Sequence, residues 1–138
     1  MRVLFACGGS AGHINPALAI ATALKEEKSE VEILFAGNPN RMEAQLVPAA
    51  GFAFTPILVE GFQRKFSWEN IKRNLKALRY LTTAGFRARD ILEEFDPDIV
   101  IGTGGYVSGP VLKKAASLGY PTITHESNAY PGLTTKIL

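Results

Sequence analysis

Five short apolar runs alternate with longer helical stretches, and this alternation restricts the fold more than any other feature of the chain. Residues 2–7, 31–36, 54–59, 98–101 and 121–124 read as strands. Several are apolar almost throughout, as expected of strands covered on both faces. Residues 16–27, 41–50, 68–94 and 107–118 read as helices. Strand–helix alternation at this spacing calls for right-handed crossovers, and so for an α/β, Rossmann-like, doubly wound parallel sheet. Asn15 is the expected N-cap of the first helix, with Pro16 in its first turn. Gly51 and Gly119 stand where helices should stop, because glycine tolerates the left-handed conformation of a helix end. Asp96-Pro97 interrupts the long basic helix before the fourth strand.

A length of 138 residues suits one such domain. A chain of this size can bury roughly 70% of its unfolded surface. Its 46% hydrophobic and 20% charged residues mark it as globular rather than disordered. Cys7 is the one cysteine, which excludes an internal disulfide framework; with two histidines beside it, no structural zinc set is expected. No apolar run approaches the ~20 residues needed to cross a bilayer. The start leads straight into the first strand and is too short for a signal peptide. Segment 133–138 reads as a helix just begun behind Pro131-Gly132, so the chain is expected to continue into a second domain.

Charge is unevenly spread. Residues 62–90 hold eight of the fifteen basic groups and two of the thirteen acids, a local charge of +6 on a chain of net +2. A basic patch on a mildly acidic body suits one anionic surface and not the general coating of nucleic acid. Trp68, Ile71, Leu75 and Leu78 recur at three- to four-residue spacing, with Lys72, Lys76 and Arg79 beside them. Such a helix either packs on its own sheet with a solvated basic flank, or sits on a membrane surface.

The first strand runs into Gly8-Gly9-Ser10-Ala11-Gly12-His13. Glycines allow a tight turn and close approach of a ligand, and a following helix N-terminus favours phosphate. The same glycines can instead serve only helix–sheet packing. The spacing is not the dinucleotide fingerprint, and the second strand ends Ala36-Gly37-Asn38 without an acid for a ribose. A nicotinamide oxidoreductase is therefore disfavoured, as is a P-loop enzyme, whose motif is absent. A second glycine loop, Gly102-Thr103-Gly104-Gly105-Tyr106-Val107-Ser108-Gly109-Pro110, follows the fourth strand. Strand ends of a parallel sheet share one rim, so two loops there can converge on a diphosphate, unless they are unrelated turns. The fifth strand ends in His125-Glu126-Ser127-Asn128 at the same expected rim. There Asn128 can also be a helix cap and His125 a hydrogen-bonded rim residue. His13, in the first loop, can take a proton near neutral pH.

These three motifs, in this order, resemble the MurG family of N-acetylglucosaminyltransferases, and they span nearly the whole chain. The family's first loop often reads G-G-T-G-G-H, where this chain has Ser10 and Ala11. The resemblance implies the N-terminal, acceptor-side half of a GT-B glycosyltransferase, with the donor-binding domain absent. It implies transfer of N-acetylglucosamine from UDP-N-acetylglucosamine to the muramyl 4-hydroxyl of lipid I, with inversion. The product is lipid II, made at the cytoplasmic face of the bacterial membrane by a peripheral enzyme. No cofactor, metal or nucleic acid is implied. Carried over by motif, Ser10, Ala11, Gly12 and Asn128 contact the donor, and Gly104, Gly105 and Tyr106 bind the lipid-linked diphosphate. His13 and Glu126 are the catalytic candidates, with His13 favoured as base and Glu126 holding it, polarising it or replacing it. Phe66, Trp68, Lys72, Arg73, Lys76 and Arg79 match the family's membrane patch. A stand-alone membrane-binding subunit, with its catalytic half on a separate chain, is the alternative from another class.

Overall fold

The computed structural model describes residues 1–59, 68–127 and 136, with residues 68–81 described as helix backbone only. Among the described residues five strands and four helices alternate: β1 (Arg2–Cys7), α1 (Ala11–Glu27), β2 (Glu32–Gly37), α2 (Glu43–Ala49), β3 (Ala53–Pro56), α3 (Trp68–Phe95), β4 (Ile99–Gly104), α4 (Ser108–Ser117) and β5 (Thr122–Thr124). The strands form one sheet in the order β3-β2-β1-β4-β5, every pair parallel. The expected doubly wound α/β sheet is the fold observed.

Strand position follows composition. β1 lies in the middle, and Val3, Leu4, Phe5, Ala6 and Cys7 are all buried. Its side chains alternate between two cores. Leu4 and Ala6 join Ala88, Leu92, Val111 and Leu112 under α3 and α4. Val3, Phe5 and Cys7 join Ile14, Ala17, Ala21 and Val47 under α1 and α2. Phe5 stacks on Phe35 of β2, centroids 4.9 Å apart. β5, at one edge of the sheet, is exposed along its length.

Helix ends show where local signals suffice. Gly51 and Gly119 stand at φ +85° and +87°, the left-handed stops that the sequence indicates. Asp96 (φ 46°) ends α3 before Pro97. The start of α1 corrects the sequence reading. Asn15 is not the N-cap: the helix begins at Ala11, with Ser10 in the cap position, and Pro16 lies inside it. Proline at position 16 has no N–H for the Gly12 carbonyl. That carbonyl instead accepts a hydrogen bond from Ser127 Oγ at 3.3 Å. The helix runs through Pro16 unbroken, and this partner comes from beyond the fifth strand. β3 also stops at Pro56, short of the expected 59, and β4 runs to Gly104, three residues past its expected end.

Candidate functional site

The two glycine loops meet at the C-terminal rim of the sheet, between β1 and β4. Pairing of these strands shifts after Ala6, so that Cys7 faces Gly104. Ser108 bridges the irregularity: its Oγ donates to the Ala6 carbonyl at 2.6 Å and accepts the Gly104 N–H at 3.1 Å. Gly104 and Gly105 both have positive φ, +107° and +85°. A Cβ on Gly105 would stand 2.1 Å from the Gly8 carbonyl oxygen, so the loops touch backbone to backbone only because residue 105 lacks a side chain.

His13 lies in the first turn of α1, over Gly104, where an added Cβ would be 2.5 Å from its Nδ1. Thr103 Oγ1 donates to the His13 carbonyl at 2.6 Å and ties the helix start to β4. Nδ1 is buried and has no hydrogen-bond partner among the described residues. Ser10 makes no side-chain capping bond, and its Oγ lies 3.8 Å from where a Gly12 Cβ would be. The amides of Ala11 and Gly12 are first-turn donors with no acceptor inside the helix, at its positive end.

The rim is completed by the segment after β5. The His125 N–H bonds the Gly102 carbonyl at 2.8 Å, which holds this segment against β4. His125 is exposed, Glu126 is half-buried, and Ser127 reaches Gly12. The structure thereby gathers Ser10, Ala11, Gly12, His13, Gly104 and Gly105 around the β1–β4 junction, with the stretch containing Glu126 fastened beside it. Tyr106 is 58% exposed and borders a cavity of about 130 Å³ with Gly8, Gly9, Asn38, Arg41 and Val107. Asn128 and Phe66 lie outside the described residues, as do the side chains of Trp68, Lys72, Arg73, Lys76 and Arg79.

Two features escaped the sequence reading. The first is Glu43, a buried carboxylate under the first loop, which accepts the N–H of Gly9 at 3.1 Å and of Asn38 at 2.9 Å. The Gly9 and Gly104 amides are thus committed within the protein. The glycines at 8 and 37 were the available signal, since each leaves room for this side chain. The second concerns charge. Arg87 donates to the Pro56 carbonyl and Thr55 Oγ1, and Arg89 pairs with Glu93 at 2.6 Å. Those two bases of the +6 segment are therefore engaged on the protein's own surface.

Cys7, beneath the rim, is buried, and burial, helped by the nearby Glu43 charge and partly opposed by a hydrogen bond with Thr103, pushes its thiol from 9.0 up to about 12. It is a packing residue and not a nucleophile at neutral pH.

Residues 3–138 match the glycosyltransferase family 28 N-terminal domain family. Over all 138 residues the chain is 50% identical to the UDP-N-acetylglucosamine–N-acetylmuramyl-(pentapeptide) pyrophosphoryl-undecaprenol N-acetylglucosamine transferase of Thermoanaerobacter sp. (strain X514), and spans 37% of that protein's length. The protein of the same name from Clostridioides difficile (strain 630) is 46% identical, with 33% of its length spanned. Among solved structures, MurG of Acinetobacter baumannii superposes with a TM-score of 0.82 at 29% identity, over 99% of this chain and 38% of that one. The glycosyltransferase VinC shares the fold, with a TM-score of 0.64 at 19% identity, over 93% of this chain and 35% of that one. No helix among the described residues is long and apolar enough to cross a membrane.

Proposed function

Because the chain belongs to the glycosyltransferase family 28 N-terminal domain family, we propose that it is the acceptor-side half of the transferase that converts lipid I to lipid II. N-acetylglucosamine moves from UDP-N-acetylglucosamine to the muramyl 4-hydroxyl, with inversion, in peptidoglycan synthesis. The observation that carries this reading is the contact of the two glycine loops beside His13, at the rim where the segment after β5 is also fastened.

In the proposed reaction the muramyl 4-hydroxyl oxygen attacks the anomeric carbon, the bond to the UDP oxygen breaks, and a base takes the hydroxyl proton. His13 is the favoured base. Glu126 is its partner or its substitute. The positive end of α1, with Ser10, Ala11 and Gly12, suits the negative charge that develops on the leaving diphosphate. Asn128 is assigned to the donor as well. Gly104, Gly105 and Tyr106 are assigned to the diphosphate of the lipid-linked acceptor. The rest of the donor contacts are assigned to the remainder of such a transferase, since this chain spans 37% of the Thermoanaerobacter relative.

The isolated chain is therefore expected to show no turnover of UDP-N-acetylglucosamine with a lipid I analogue, since half a cleft cannot orient both substrates. Fused to the remaining portion of the Thermoanaerobacter relative, it is expected to transfer the sugar with inversion. Turnover by the isolated chain, or no transfer by a folded fusion, overturns the proposal.

The acceptor is a membrane lipid, so the proposal includes peripheral attachment at the cytoplasmic face through positions 66–79 of the basic segment. Phe86 on α3 is 73% exposed and stands seven and fourteen residues from Arg79 and Lys72, on one line of the helix. Replacing Lys72, Arg73, Lys76 and Arg79 with serine should lower affinity for anionic vesicles. Each base contributes on the order of 1 kcal/mol at such a surface, so the loss should be roughly tenfold to a thousandfold. Salt should weaken binding of the parent through the same charges. Equal sedimentation of parent and variant with anionic vesicles removes the patch from the proposal.

A further inference from the structure

Glu43 is the one charged residue in the buried part of the described protein, at 1% exposure, and the reaction outlined above gives it nothing to do. A carboxylate beneath a rim suited to anions weakens that rim's potential, so its presence calls for a compensating role. Its contacts supply one. Oε2 accepts the Gly9 N–H at the end of β1, and Oε1 accepts the Asn38 N–H at the end of β2. Volume has been cleared for it just after β1 and at the last residue of β2. A Cβ on Gly8 would lie 2.2 Å from Oε1, and one on Gly37 would lie 2.6 Å from Cγ.

The connection runs on in both directions. Asn38 Nδ2 donates to the Val59 carbonyl at 2.7 Å, and its Oδ1 accepts the Asn40 N–H at 3.0 Å. On the other side, Gly8, directly above the carboxylate, is the residue whose carbonyl packs against Gly105. Glu43 therefore braces the first glycine loop from below, and that loop is the surface on which the second one rests.

We propose that Glu43 is a positioning residue: its carboxylate holds Gly8 and Gly9 in the one register that seats the second glycine loop, and so sets the geometry of the acceptor site. The functional part of this statement rests on the transferase reading; the brace itself does not.

Glutamine tests it with almost no change of volume. An ionised carboxylate offers acceptors to both N–H groups, whereas an amide turns its NH₂ toward one of them, donor against donor. In the Glu43→Gln chain, the Gly9 or Asn38 amide proton should move upfield in ¹H–¹⁵N spectra and exchange with solvent at least about tenfold faster, while other amides of the fold stay in place. In the fusion enzyme, kcat should fall roughly ten- to a hundredfold with KM for UDP-N-acetylglucosamine within about twofold, because small misplacement of a reacting group costs rate more than donor binding. Glu43→Asp keeps the charge but is one methylene short, and should show the same defect. If Glu43→Gln does not fold, Gly8→Ala serves, since it pushes the intact carboxylate aside; kcat should then fall together with a displaced Gly9 amide. Unshifted Gly9 and Asn38 amides overturn the brace. Parental kcat in a variant with displaced amides overturns the positioning role. An inactive parental fusion overturns the transferase reading instead, and leaves the spectroscopic result standing by itself.

Discussion

Gly105→Ala is expected to destabilise the chain by about 2–5 kcal/mol and, in the fusion enzyme, to remove transfer. The backbone at φ +85° costs an alanine roughly 1–2 kcal/mol. The added methyl then meets the Gly8 carbonyl oxygen at 2.1 Å, a backbone atom that cannot rotate away. Overpacking of this kind adds roughly 1–3 kcal/mol. Gly119→Ala is the matched control, because Gly119 has φ +87° and open space around its Cα. It should show the conformational cost alone. Urea unfolding of both variants separates the terms. Equal losses mean that the first loop yields, and that the two loops are not held in contact.

The second large effect is an alkaline loss of stability through Cys7. Its thiol ionises near 9.0 when unfolded and is pushed up to about 12 in the fold. Above pH 9 the unfolded chain releases this proton while the native chain keeps it, so the unfolded state binds fewer protons and stability falls as pH rises. The contribution is fully present below pH 9 and is lost progressively toward pH 12, by roughly 4 kcal/mol in total. Comparison with Cys7→Ala isolates it from other groups that titrate in this range. The stability advantage of the parent over that variant should shrink steadily between pH 9 and 12. A constant difference across this range means that the thiol is hydrated and that the base of the rim is open to water.

The layered fold is legible from local sequence alone. The buried runs at residues 2–7 and 31–36, the glycine stops at 51 and 119 and the Asp96-Pro97 break all act through residues within a few positions of each other. Local sterics and the period of apolar residues settle such features before any tertiary contact forms. The sequence also placed the glycine loops and His13 at strand ends, and a parallel sheet has one rim on which such ends collect. The start of α1 was decided by tertiary structure. Asn15-Pro16 is a strong local start signal, yet the helix begins at Ala11, where the Ser10 carbonyl accepts the N–H groups of His13 and Ile14, and Ser127, 115 residues from Gly12, meets the carbonyl that Pro16 leaves bare. Glu43 was likewise invisible in the sequence, where it reads as an ordinary acid in the first turn of a short helix. Its partner Gly9 is 34 residues away. Only the packing of α2 against the ends of β1 and β2 takes that carboxylate out of water, and burial makes its two backbone hydrogen bonds obligatory.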